Sequence, residues 1–355
     1  MRRMGTAGRS SRDRNGSSQS QEPGGVSCRF QLASHSWKSR NILMYDTPTA
    51  DDRRWAAVVS RDAAADGLFY SCVRTTGVYC RPSCPGRPHR KNVFFAETRA
   101  EAERAGLRPC KRCRPDRLAV GPIARRIDAI DWERADEGLD RDGFAALGRL
   151  LDDDECAGLA AAYAADKDFR STVTMARHGF GAGEYRYFAD PPPALVGELR
   201  TRLYARLSPL ANRWGERLGV ARTYPPDHSA YRAICAAAGQ TRPTPLLLSY
   251  GPGDYNRLHR DLYGAEIFPV QVAILLSEPG KDFDGGEFIL TEQRPRMQSR
   301  AHVVPLAKGD AVAFAVNERP VDGAKGVYKA RMRHGVSTIC AGRRMTLGVI
   351  FHDAE

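Results

Sequence analysis

Four cysteines fall into two short chelating pairs. Cys80 and Cys84 are separated by three residues, Cys110 and Cys113 by two, and 25 residues lie between the pairs. Two such loops brought together offer four thiolates in a tetrahedron, the soft donor set that zinc prefers. Paired short spacings seldom arise among unrelated thiols. The remaining five, Cys28, Cys72, Cys156, Cys235 and Cys340, follow no spacing and read as small buried side chains. A second group lies further along. His259 and Asp261 stand two apart, so their side chains leave the same face of an extended chain. His334 follows 73 residues after Asp261. Two histidines and one carboxylate make a facial triad that leaves adjacent positions on iron open. Arg344, ten residues beyond His334 at the start of an apolar strand, is suited to pairing with a carboxylate, and its neighbour Arg343 is the alternative. His178, His228, His302 and His352 read as structural or surface groups.

The elements that must position these groups differ between the two halves. Residues 1–47, rich in Ser, Arg and Gly with no apolar periodicity, read as a disordered leader, with Met44 opening the text that looks folded and Met1 or Met44 as the translation start. From 48 to 117 short apolar pieces such as "LFYSCV" and "VFF" alternate with Gly and Pro, and "ETRAEAERAG" predicts one helix stopping at Gly106. This unit is too small for a large core, and a metal supplies the missing stabilisation. Residues 118–141 read as a linker. In 142–355, Phe144, Leu147, Leu150 and Leu151 recur at helical spacing, Leu159 and Tyr163 continue on a second helix, and Leu195, Leu199 and Leu203 mark a third. From 244 onward the pattern turns to strands, including "TPLLLSY", "FPVQVAILL", "GEFILT", "DAVAFAV" and "MTLGVIF". Helices followed by many short strands predict an α+β fold built on a jelly roll.

Charge divides along the same lines. Of the net +12, residues 1–50 carry +5 and residues 51–117 carry +7, with fifteen basic against eight acidic side chains, whereas 118–355 balance at 31 against 31. A compact basic segment ahead of a neutral one points to a polyanion partner for the first. No run of about 18 apolar residues could span a bilayer, and no secretory signal pattern appears, so a reducing cytoplasm with metal-bound thiolates is expected.

The residues "VRTTGVYCRPSCPGR", "NVFF" and "GLRPCKRCRPD", spanning roughly 51–117, resemble the N-terminal domain of the Ada DNA-repair family. The resemblance implies zinc on Cys80, Cys84, Cys110 and Cys113. It also implies that Cys80 takes a methyl group from a DNA methylphosphotriester in a single turnover. Arg74, Thr75, Thr76, Arg81, Arg108, Lys111 and Arg112 are the candidate contacts to the DNA backbone. A purely architectural zinc knot is the alternative on spacing alone. Neither a helix-turn-helix pair nor the Pro-Cys-His-Arg motif of alkylguanine methyl acceptors follows Cys113. The triad, Arg344 and "FDGGEFIL" resemble an Fe(II)- and 2-oxoglutarate-dependent oxygenase with a double-stranded β-helix, nearer the prolyl-hydroxylase group than AlkB; where AlkB enzymes carry a second arginine stands Ile350. The resemblance implies iron on His259, Asp261 and His334, and 2-oxoglutarate, used with dioxygen, on Arg344 and Tyr250. Its substrate is left open between nucleic acid and protein, the second with the zinc module serving only to dock on DNA.

Overall fold

The computed structural model describes residues 50–355 apart from 68, 118–120 and 325. The expected leader, Cys28 and both candidate start codons lie outside the described residues.

The zinc module is a small four-stranded sheet. In it β1 (Tyr70–Val73) pairs antiparallel with β2 (Val78–Cys80) and β3 (Val93–Ala96), and β4 (Arg108–Pro109) runs parallel to β2. Helix α1 (Ala50–Ser60) and the short α2 (Arg99–Arg104) flank it. Thr98 caps α2 by accepting from the Glu101 amide, satisfying one of the free donors of its first turn. The apolar clusters are small: Val58, Ala65, Phe69, Val73, Val93 and Phe95 in one, Tyr70, Cys72, Tyr79, Ala96 and Ala102 in the other. A core of that size fits the expected need for a metal staple.

Residues expected as a linker instead belong to the larger core. Helices α3 (Pro122–Asp128) and α4 (Trp132–Asp142) bury Ile123, Ile127, Ala135 and Leu139 in the same apolar cluster as the β-sandwich. The sequence of α4, WERADEGLDRD, is mostly charged, and its buried face is only Ala135, Gly138 and Leu139, which is why it reads as a linker. The next segment is also corrected: Phe144–Arg149 is strand β5, with a bulge against its neighbour near Gly148. One extra residue there breaks the two-residue alternation and imitates helical spacing. The described residues form one compact unit. The zinc module seats on the larger part through Glu97, which accepts from Thr201 at 3.0 Å, and through an Arg104–Asp227 ion pair.

Two mostly antiparallel sheets make the sandwich. The seven-stranded sheet runs β5, β15 (Asp310–Ala315), β11 (Val270–Leu275), β19 (Arg344–Val349), β9 (Leu246–Tyr250), β8 (Glu184–Phe188) and β6 (Phe169–Thr174). The six-stranded one runs β14 (Arg300–Val304), β13 (Phe288–Gln293), β17 (Gly326–Val336), β10 (Tyr255–His259) and β7 (Gly181–Ala182), with β16 (Glu318–Gly323) also on β17. Strands β12 (Phe283–Gly285) and β18 (Ile339–Gly342) form a separate ribbon. Strands β11 and β19 are buried along their whole length, because the second sheet covers one face and helices the other. Helices α5 (Asp153–Ala162), α6 (Ala194–Leu218) and α7 (His228–Ala237) contribute Leu159, Leu199, Leu203, Leu207 and Tyr231 to that cluster. The α+β jelly-roll expectation agrees with this architecture. Among the described residues no helix is long and apolar enough to cross a membrane.

Candidate functional site

The four cysteine sulfurs of the first module lie within 4.8 Å of one another. Cys80 ends β2, Cys84 follows in a turn closed by its amide on the Arg81 carbonyl, and Cys110 hydrogen-bonds through its amide to the Tyr79 carbonyl. The sheet thus fixes both pairs. Such close thiols cannot all ionise unaided. The Cys113 and Cys84 sulfurs, and then burial, push the Cys80 thiol up, while hydrogen bonds from Cys113 and Cys80 hold Cys84 down as the thiolate. A soft divalent cation resolves that conflict, so the donor set fits zinc. Cys80, Cys84 and Cys110 line a cavity of about 370 Å³ together with Thr75, Thr76, Arg87 and Arg112, and with His89 and Asn92, which the sequence did not single out. Of the other expected backbone contacts, Arg108 and Lys111 are exposed, Arg74 stacks on Phe94 at 4.4 Å, and Arg81 pairs with Asp66 at 3.4 Å. Cys72, Cys156 and Cys235 are buried as expected, but Cys340 is exposed on β18.

The second centre is built by cross-strand pairing. His259 on β10 stands directly opposite His334 on β17, and their rings are 4.2 Å apart between centroids. Asp261, just past the end of β10, reaches both: Oδ1 lies 3.4 Å from His259 Nε2 and Oδ2 lies 3.4 Å from His334 Nε2. The Nδ1 of His259 is 2.7 Å from the Arg257 carbonyl, the partner that orients the ring and leaves Nε2 for a metal. Burial opposes the charged form of Asp261, yet the two imidazoles outweigh it and keep the carboxyl well below its usual range. Burial, then His259, keeps His334 below its usual value. A carboxylate beside a neutral imidazole is the state a divalent iron needs of its ligands.

The cosubstrate candidates are also cross-strand partners, Arg344 on β19 opposite Tyr250 on β9. Both are buried and both line the cavity of about 190 Å³ that contains the triad. Arg344 makes no ion pair among the described residues. Its Nη1 donates to Thr346 Oγ1 at 2.5 Å, its buried Nε has no acceptor, and burial lowers the guanidinium to about 10. A buried cation left without an anion inside a metal-sized pocket fits the distal carboxylate of 2-oxoglutarate. Gly286 makes room for it: with φ at +65°, a Cβ there would sit 2.9 Å from Arg344 Cδ and 2.4 Å from Ile339 Cδ1. Arg343 is exposed and donates to Ser249 Oγ, so it is not the residue aimed into the pocket. His228 and His352 are buried, and His228 Nε2 bonds the Phe351 carbonyl.

Two residues that the sequence did not reveal hold Asp261. Tyr263 donates its hydroxyl to Oδ1 and Gln271 donates Nε2 to Oδ2, each at 2.8 Å. Gln271 is the lone polar side chain in the fully buried strand β11, which was the available signal. Whichever oxygen binds the metal, the other keeps a donor. The double variant Tyr263→Phe, Gln271→Leu is therefore expected to weaken iron binding by about 10- to 100-fold. Calorimetric metal titration of protein checked for native circular dichroism reads this directly, and unchanged affinity would remove both residues from the role.

Four thiols on a small sheet and a cluster of two histidines and one carboxylate inside a jelly roll define the class: a zinc-thiolate module joined to a jelly-roll oxygenase. The chain carries an Ada zinc-binding domain in its first module and an oxygenase domain in its second. Residues 53–116 match the metal-binding domain of Ada, and residues 183–354 match a family described as an oxygenase catalysing oxidative methylation of damaged DNA. An uncharacterised protein of Mycobacterium tuberculosis is 46% identical over 167 residues, covering 47% of this chain and 72% of its own length. The bifunctional transcriptional activator and DNA repair enzyme Ada of Escherichia coli is 53% identical over 85 residues, 24% of this chain and 23% of its own. A solved complex of the methylated N-terminal part of Ada with DNA is 39% identical, covering 32% of this chain and 79% of that one, with a TM-score of 0.20. The cysteine set fits Zn²⁺, and the set of two histidines and one carboxylate fits a divalent iron.

Proposed function

We propose that this chain is a DNA-alkylation repair or response protein in which Cys80 accepts the methyl group of a DNA methylphosphotriester and the oxygenase acts on a related lesion. The observation that carries the reading is the union, in one compact unit, of the thiolate cavity with the triad pocket. The description of the oxygenase family and the names of the Ada relatives, which speak of damaged DNA and DNA repair, support it.

Cys80 lines the cavity, and Thr75, Thr76 and Arg112 beside it supply donors for phosphate oxygens. Zinc, when bound, holds the sulfur as a thiolate at neutral pH. The Cys80 Sγ attacks the methyl carbon in line, a C–S bond forms, the methyl C–O bond breaks, and the phosphodiester leaves as an anion. No base is needed, and the thioether makes the event a single turnover. In the second module His259, Asp261 and His334 would hold iron, and Arg344 with Tyr250 would hold the far end of 2-oxoglutarate. When bound, these supply oxidative decarboxylation to succinate and carbon dioxide coupled to oxidation of a C–H bond. The protein's part is to orient both ligands and to keep the apolar walls Phe288 and Phe314 around them. A reducing compartment such as the cytoplasm suits eight described cysteines that are all free.

Incubation of the full chain with DNA carrying methylphosphotriesters is expected to leave one methyl group, mapped to Cys80 by peptide mass spectrometry. No adduct would defeat the acceptor role. Succinate release should be stimulated by alkylated DNA in the wild type and be lost in His259→Ala. Stimulation by peptides and not by DNA would make the zinc module a docking unit for a protein hydroxylase.

A further inference from the structure

Phe180 is one of nine large apolar side chains exposed among the described residues, 48% exposed, and it lines the mouth of the triad pocket. Its ring stacks on the exposed His178 with centroids 5.3 Å apart and planes 22° apart, so the pair is a small aromatic stack open to solvent. The backbone beneath is fixed. The Phe180 amide donates to the Met175 carbonyl at 3.2 Å, and its carbonyl accepts from the Arg257 amide at 2.9 Å. The next residue, Gly181, has φ at +139°, and a Cβ there would lie 2.3 Å from the Tyr255 carbonyl oxygen. An exposed aromatic pair on a rigid backbone is a surface held ready for something flat.

The charges nearby are also uncommitted. Arg177 and Arg257 are exposed and, among the described residues, have no carboxylate partner. Arg177 lies three residues before Phe180, and the Arg257 amide bonds the Phe180 carbonyl. The inner cavity of about 190 Å³ has room for a cosubstrate and a small appended group, not for a base pair. A flat group that must reach it has to be presented singly at the mouth.

We infer that Phe180 and His178 form the stacking platform for an unpaired nucleobase, with Arg177 and Arg257 holding the phosphates on either side of it. This rests on the reading of the oxygenase as a DNA enzyme, and adds that it takes the lesion on a single strand or an extruded base. Aromatic platforms flanked by cations accept any base by its π face and the backbone by charge.

The test uses the full chain loaded with Fe(II) and 2-oxoglutarate. Succinate release is measured with a short single strand carrying one methylated base, the same strand in a duplex, and peptides. Phe180→Ala is expected to raise KM for the single strand about 5- to 100-fold with little change in kcat, and Phe180→Trp to restore it. Arg177→Gln with Arg257→Gln should flatten the slope of log affinity against log salt by about 1.4, the value for two phosphate contacts on a single strand. Turnover stimulated by DNA with the same KM in Phe180→Ala, or an unchanged salt slope in the arginine pair, would overturn the platform and leave the DNA reading intact. Turnover stimulated by peptides and by no oligonucleotide would overturn that reading and the platform with it.

Discussion

Arg344→Ala protein is expected to need about 100-fold or more 2-oxoglutarate for half-maximal succinate release, while binding iron as the wild type does. The same substitution should make the ligand-free protein more stable. A guanidinium held at about 10 by burial, against an ordinary value near 12.5, has lost on the order of 3 kcal/mol of solvation. Because the folded value is the lower one, that penalty is fully present at every pH below about 10, including neutrality, and is relieved only as the pH climbs towards the unfolded value. Arg344→Met removes the charge while keeping the stem that packs against Gly286. It should therefore raise the urea midpoint as it abolishes cosubstrate binding, the stability–activity trade expected of a binding residue. If the midpoint falls instead, Arg344 is structural and the cosubstrate is anchored elsewhere.

Asp353→Asn carries the largest expected effect on folding, a loss of about 3–5 kcal/mol. The carboxylate accepts from Arg200 at 2.7 Å and from Arg232 at 2.9 Å, and Arg200 also donates to the Ile350, Phe351 and His352 carbonyls. These bonds tie α6 and α7 to the end of β19. Removing one charge leaves a buried guanidinium facing neutral groups. Burial raises the Asp353 carboxyl, but the two arginines outweigh it and bring it to about 2. A depressed folded value means that this stabilisation is complete above the unfolded value near 3.9 and disappears as the pH falls through about 2. Urea unfolding from pH 7 down to pH 2 should therefore show a steeper acid loss in the wild type than in Asp353→Asn. A loss below about 1 kcal/mol at neutral pH would mean that the network adds nothing to the fold.

Residues that act through local spacing are legible in the sequence itself, whereas the roles of His334, Arg344 and Tyr250 come with the family resemblance. Cys80, Cys84, Cys110 and Cys113 announce themselves because a chelate loop is a short-range object. His259 and Asp261 share a strand face for the same reason. That His334 is the cross-strand partner of His259, and Arg344 of Tyr250, depends on sheet register, and no local pattern encodes it. The buried strands β9, β11, β13, β15 and β19 are apolar runs and were read as strands, whereas β10 and β17 are half-exposed and polar and were passed over. The misreadings at 118–141 and at Phe144–Leu151 have separate causes. Helix α4 buries only Ala135, Gly138 and Leu139 beneath a charged surface, and β5 carries a bulge that breaks its alternation. Tyr263 and Gln271 matter only because the fold brings them to Asp261.

The two histidines belong to the six-stranded sheet, and Arg344 and Tyr250 to the seven-stranded one. Metal and cosubstrate together are therefore a rivet through the sandwich, grasped by both leaves. An unfolded chain holds neither leaf in place and cannot bind them in this way. By mass action, a ligand present at a hundred times its dissociation constant deepens the folded well by about 2.7 kcal/mol. A cell short of iron or of 2-oxoglutarate would lose the protein's activity first and then its abundance, since the emptied sandwich is the form that proteases find open. Supply of these small molecules would thus set how long the zinc module, seated on the same body, survives to meet its own substrate.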